Sequence, residues 1–75
     1  MEREKDRGKF VELAEKRVTR AMKDLRLIGN LSNKSNYSYS DEDVRKIIKA
    51  LEAEIRKLKL RFERHGASDE IDFKL

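Results

Sequence analysis

Helical periodicity is clearest in the stretch VRKIIKALEAEIRKLKLRF, residues 44–62. Its main apolar residues recur at steps of 4, 3, 4, 3 and 4 positions. This spacing places them on one face of an α-helix. They are Val44, Ile48, Leu51, Ile55, Leu58 and Phe62.

A second amphipathic helix is predicted upstream. Its face has steps of 3, 4, 3, 4 and 3 through Val11, Ala14, Val18, Ala21, Leu25 and Ile28. Phe10 and Met22 widen this face, and Gly29 stands where a residue that closes a helix is expected. The patterns predict helices over residues 9–28 and 41–65.

The start of the second helix carries a capping signal. Ser40 is a good N-cap residue, and Asp43 stands three positions later, as in a capping box. Tyr39 precedes the cap and is positioned to pack against Val44 as a hydrophobic staple. The segment of residues 29–40 is therefore predicted to be a loop, with residues 1–8 a charged lead-in and residues 66–75 an acidic tail.

The fold predicted from these segments is all-α, a two-helix antiparallel hairpin in a single helical domain. A lone hairpin buries one seam, which barely offsets the entropy cost of ordering the chain. We therefore expect a homodimer in which two hairpins form a four-helix bundle. The alternative is a monomer whose loop and tail fold back over the seam. The residues expected in this core or dimer seam are Val11, Val18, Met22, Leu25, Val44, Ile48, Leu51, Ile55, Leu58 and Phe62.

Composition excludes several classes of protein. The 75 residues are 45% charged and 37% hydrophobic, with a net charge of +4. There is no cysteine, which excludes a disulfide scaffold and a cysteine-based zinc site. No apolar run approaches the roughly 18 residues of a membrane span, so the expected location is the cytoplasm, with no membrane partner.

The sequence offers little for catalysis. Its only histidine, His65, lies at the end of the second predicted helix, where a charged imidazole suits the helix dipole. No glycine-rich phosphate loop and no metal-binding spacing is present. We therefore predict a protein that is not an enzyme and that has no catalytic residues, cofactor or metal.

Two surfaces remain as candidates for binding a partner. One is the loop, whose polar and aromatic residues suit a protein contact. Its candidate residues are Asn30, Asn33, Tyr37 and Tyr39. The other is the outer face of the second helix, where acidic residues fall to the flanks and a basic face remains. Its residues are Lys46, Lys49, Arg56, Lys57, Arg61 and Arg64. The alternative interpretations are a loop that only caps the helices and an ordinary solvated basic surface.

One resemblance extends from about residue 10 to residue 62. The motif RLIGNLSN at residues 26–33, followed by NYSY at 36–39 and DEDVRKI at 41–47, resembles a family of short uncharacterised bacterial proteins, some of them encoded on phages and other mobile elements. The resemblance implies a bacterial or mobile-element origin and a short helical fold. It assigns no activity to any residue.

Three functional hypotheses follow. The first is a non-enzymatic interaction or regulatory protein that binds a protein partner through the loop or the basic face. The second is a nucleic-acid-binding accessory protein that uses the basic face of the second helix. The third is an assembly subunit whose function is the seam itself.

Overall fold

The structure is a computed structural model that describes residues 2–67, with side chains described for residues 4–64. Its elements are α1, Glu2–Gly29, a short 3₁₀ helix, Asn30–Ser32, and α2, Asp41–Ala67. Residues 2–67 contain no strand, so the predicted all-helical class is confirmed for them. The chain divides into two units, Met1–Ser38 and Tyr39–Leu75. α1 and the 3₁₀ helix belong to the first unit, and α2 belongs to the second.

α1 begins seven residues earlier than the sequence predicts. Residues 2–8 are helical, so their assignment to a charged lead-in is wrong. Acidic residues in the first turns, such as Glu4 and Asp6, suit the positive end of the helix dipole. The guanidinium of Arg7 also lies 6.0 Å from the centre of the Phe10 ring, one turn further on. This contact stabilises the helical conformation of the early turns.

The end of α1 also differs from the prediction. Gly29 has φ −60° and ψ −29°, the right-handed helical conformation, so it does not close the helix as a left-handed residue. The chain continues instead into the 3₁₀ helix of Asn30–Ser32. A tightened last turn of this kind satisfies carbonyl groups at the end of a helix without a glycine cap.

A hydrogen-bonded turn organises the connection after the 3₁₀ helix. The side-chain oxygen of Asn33 accepts hydrogen bonds from the backbone N–H of Ser35 at 3.0 Å and from its hydroxyl at 2.7 Å. The backbone carbonyl of Asn33 accepts from the N–H groups of Asn36 at 3.1 Å and Tyr37 at 3.0 Å. One asparagine therefore holds the turn at residues 33–37, in the manner of an Asx-turn.

The predicted capping box at the start of α2 is confirmed. The hydroxyl of Ser40 accepts a hydrogen bond from the N–H of Asp43 at 3.1 Å, and the N–H of Ser40 donates to the Asp43 carboxylate at 2.9 Å. The helix then begins at Asp41, as predicted, but passes Gly66 and ends at Ala67, two residues later than predicted. Residues 68–75 of the predicted acidic tail lie outside the described residues.

The described part of the chain has no hydrophobic core. Among residues 4–64, no side chain is buried. The least exposed are half-buried, namely Val11, Leu13, Ala14, Tyr39, Leu51 and Ala53. The apolar faces that define both helices are thus at the surface, and that exposure is the central structural property of this protein.

Candidate interaction surfaces

The apolar seam of each helix is the largest candidate surface. Eleven large apolar side chains of the two seams are exposed, with between 36% and 60% of their surface accessible. Ile55 and Phe62 are the most exposed of them, at 60% each. Eight of the ten predicted seam residues are exposed, and only Val11 and Leu51 are half-buried. The exposed apolar face of each helix is therefore a candidate interaction surface.

The exposed seam residues run the length of both helices. In α1 they are Phe10, Val18, Met22, Leu25 and Ile28, and in α2 they are Val44, Ile47, Ile48, Ile55, Leu58 and Phe62.

The loop residues predicted to contact a partner fall into two groups. Asn30 and Tyr37 are exposed, and Tyr37 presents 49% of its surface directly after the turn. Asn33 holds the turn through its side-chain oxygen, and Tyr39 is half-buried beside the N-cap. The structure therefore gives Asn33 an architectural role, and Tyr37 is the exposed aromatic residue that this turn presents.

The basic face of α2 is partly neutralised within the helix. Lys46 lies 3.9 Å from the Glu42 carboxylate, and Lys57 lies 3.4 Å from that of Glu54. The basic face predicted from the sequence covers residues 44–65 and so begins after Glu42, which lies one turn before Lys46 on the same side of the helix. Lys49, Arg56, Arg61 and Arg64 have no ion-pair partner among the described residues.

Of the four acid-to-base pairs that the i,i+4 spacing indicates, Glu42–Lys46 is present in the structure. Three others, Glu12–Lys16, Asp41–Arg45 and Glu52–Arg56, are absent from the described ion pairs. An exposed pair gains little Coulomb energy and costs side-chain entropy. The i,i+4 spacing of an acidic and a basic residue therefore does not by itself produce an ion pair.

Three exposed leucines lie outside the predicted seams. Leu27, with 62% of its surface accessible, and Leu60, with 44%, lie on the sides of their helices opposite the seams. Leu31 is in the 3₁₀ helix, with 47% accessible. No apolar periodicity marks Leu31 in the sequence, because the positions seven and fourteen residues before it are Asp24 and Arg17.

Within residues 2–67, neither α1 nor α2 contains an apolar stretch that could span a lipid bilayer. The same part of the chain holds no group of three or more His, Cys, Asp or Glu side chains placed to bind a metal ion.

Comparisons with protein-family models, with curated proteins and with solved structures find no match to this chain. The resemblance of residues 10–62 to short bacterial and phage proteins therefore stays a prediction.

Proposed function

We propose that this chain is a non-enzymatic, cytoplasmic protein-interaction protein that acts as a homodimer. Each chain forms an antiparallel helical hairpin, and two hairpins pair into a four-helix bundle that presents the loop to a protein partner. The observation that carries the proposal is the exposure of eleven large apolar seam residues, with no buried side chain among residues 4–64.

Burial of these faces supplies the driving force for association. Complete burial of a large apolar side chain stabilises by about 1.5–3 kcal/mol, so covering a half-exposed one contributes about 1 kcal/mol. Both helices contribute exposed seam residues, and a second copy brings the same set again. An isologous dimer is the commonest way for a soluble protein to bury such a self-complementary surface.

The turn at residues 33–37 supports a role in partner binding. Its hydrogen bonds fix the backbone before any partner binds, which lowers the entropy cost of recognition. The turn ends at Tyr37, whose ring is exposed. Tyrosine is enriched among the residues that contribute most to binding energy. The sequence also has no cysteine nucleophile and a single histidine, so recognition suits the chain better than catalysis.

The dimer is tested by light scattering behind a sizing column, over a range of protein concentrations. We expect a mass of twice 8.9 kDa at micromolar concentration. The variant Ile55→Asp should shift the mass toward that of one chain, whereas Leu60→Asp, a control with the same change on the opposite side of α2, should not. A wild-type monomer at every concentration would refute the proposal.

A second function, nucleic-acid binding, is favoured by one observation. Four basic side chains of α2, Lys49, Arg56, Arg61 and Arg64, have no acidic partner among the described residues. Binding of duplex DNA through them would weaken steeply as salt is raised, because counterions are released from the phosphates. The same sizing column, run with a short duplex at low and high salt, distinguishes the two functions. A salt-sensitive shift of the duplex supports nucleic-acid binding, and an unshifted duplex at low salt excludes it.

A further inference from the structure

We propose that α1 is the helix through which two copies meet, and that it pairs antiparallel with α1 of the second copy about a twofold axis between Thr19 and Arg20. The inference rests on the proposed homodimer and deepens it, because it names the helix, its direction and its register. Three features of α1 support it: the apolar layers, the charges beside them and the residues at the helix ends. Each of these features matches the same feature on a second α1 helix that runs in the opposite direction.

The apolar layers of α1 match in this register. In heptad terms, Val11, Val18 and Leu25 occupy a positions, and Ala14, Ala21 and Ile28 occupy d positions. An antiparallel pair places each a residue against a d residue of the other helix. Val11 then meets the partner's Ile28, Ala14 meets the partner's Leu25 and Val18 meets the partner's Ala21. In the two inner layers a large side chain faces an alanine, which gives close packing without overlap.

The charges beside the seam match as well. Arg17 and Asp24 both occupy g positions, and neither has an ion-pair partner among the described residues. In an antiparallel pair g residues lie opposite g residues, so Arg17 of each copy faces the partner's Asp24. The twofold axis forms this pair twice. Electrostatic complementarity of this kind fixes register and direction more than it raises affinity.

A parallel pair of α1 helices lacks these contacts. In a parallel coiled coil a g residue faces the e residue five positions later on the other helix. Arg17 would then face the partner's Met22, and Asp24 would face the partner's Gly29. Neither charge gains an opposite charge, so the antiparallel arrangement is the one that α1 favours.

Residues at the two ends of α1 are also paired by the twofold axis. Phe10 and Leu31 are the g positions beside the outermost apolar layers, with 49% and 47% of their surfaces accessible. The 3₁₀ helix after Gly29 carries the helical path on to Leu31. In the proposed register Phe10 meets the partner's Leu31 at each end of the interface, which covers two exposed apolar side chains per copy.

α2 is less suited than α1 to pair antiparallel with a second copy of itself. The antiparallel register that aligns all six of its main seam residues pairs Val44 with the partner's Phe62. That register also places Glu54 against the partner's Glu54, and Arg45 near the partner's Lys59. Like charges at close range oppose association. α1 therefore forms the central interface, and the Met22 side of its seam is available for α2.

Disulfide capture tests the register, because the natural chain has no cysteine. Equal amounts of Val18→Cys and Ala21→Cys variants are mixed in a glutathione redox buffer, and the disulfide-linked species are separated by mass. We expect the mixed disulfide between positions 18 and 21 well above random pairing, because these residues share a layer. Each variant alone should give little disulfide. The pair Ala14→Cys with Leu25→Cys probes another layer and keeps the test valid if one variant fails to fold.

Each outcome of the capture experiment has one meaning. Predominant self-disulfides of Val18→Cys would show a parallel pair and overturn the inference. A dimer by light scattering that gives no disulfide in either mixture would also overturn it, while the proposed homodimer stands. A monomer by light scattering removes both proposals.

Charge reversal gives an independent measurement. Arg17→Glu should raise the dimer dissociation constant about tenfold, because two attractive contacts become repulsive. The double variant Arg17→Glu with Asp24→Arg should return it close to the wild-type value, since the pairs reform with exchanged signs. A double variant no tighter than the single one would contradict the pairing of these two residues.

Discussion

α1 and α2 are similar in length and pattern, but they differ in how their conformation is stabilised. α2 has a reciprocal capping box between Ser40 and Asp43, and two ion pairs lie along its surface. α1 keeps Arg17 and Asp24 without ion-pair partners among the described residues, and it contains Gly8 and Gly29. The start of α2 is thus stabilised by its own capping residues, and two of its lysines are paired within the helix, whereas Arg17 and Asp24 of α1 are charges that the proposed dimer would pair.

Substitution in the exposed apolar seam, a feature of both helices, should have the greatest effect on stability. Ile55→Asp places a charge in the surface that the proposed dimer buries, so we expect a loss of more than about 3 kcal/mol in the free energy of unfolding. Helical content by circular dichroism should fall together with dimerisation. Leu60→Asp, the control, should change stability by no more than about 0.5 kcal/mol. Equal effects of the two variants would show that the seam has no special role.

Loss of the capping box at the start of α2 should have a smaller effect on stability. Ser40→Ala removes the hydroxyl that accepts from the N–H of Asp43, and we expect a loss of about 1 kcal/mol, measured by urea unfolding. Ser38→Ala is the matched control, because no hydrogen bond of its side chain is present among the described residues. Combining Ser40→Ala with Asp43→Ala should cost less than the sum of the two single losses, since both residues belong to one capping box.

A gain in stability is expected in α1. Gly29 has helical φ and ψ, and a Cβ atom built on it meets no other atom within 4 Å. Gly29→Ala should therefore stabilise the protein by up to about 1 kcal/mol through helix propensity. Thermal unfolding measures the change, and Gly8→Ala, equally open, should give the same sign. A loss of stability at Gly29 alone would indicate that a neighbouring chain packs closely against it.

Loss of the exposed Glu42–Lys46 ion pair of α2 should change stability least. Lys46→Gln removes the pair with Glu42 and should cost about 0.3 kcal/mol at low salt, an effect that disappears at high salt. Lys49→Gln is the control, because Lys49 has no ion-pair partner among the described residues. Indistinguishable losses for the two variants at low salt would mean that the Glu42–Lys46 pair contributes nothing measurable.

The features predicted correctly from sequence depend on short-range interactions. The two helices follow from apolar spacing, and the start of α2 follows from Ser40 and Asp43, which are three residues apart. The errors lie at helix ends, where several conformations have similar free energy. Gly29 tolerates the right-handed conformation as readily as the left-handed one. Residues 2–8 contain no proline to stop a helix that the acidic first turns favour.

The candidate binding surfaces were less predictable. The side chain of Asn33 was expected to contact a partner, but its oxygen is used within the turn, since a short polar side chain bonds most easily to its own backbone. The sequence pattern does not distinguish Asn33, whose side chain is used within the turn, from Tyr37, whose ring is exposed. The ion pairs of Lys46 and Lys57 depend on which rotamers bring opposite charges together, and periodicity does not specify rotamers.

The helical class, the faces of both helices and the cap at Ser40 follow from the amino-acid sequence alone, because each depends on residues within a few positions of one another. The three-dimensional structure was needed to show that Gly29 continues the helical path, that Asn33 closes a turn and that eleven large side chains of the seams are 36–60% exposed. The physical reason is that exposure depends on what the rest of the chain covers. Spacing along the sequence shows where an apolar face lies, but it does not show whether that face is covered.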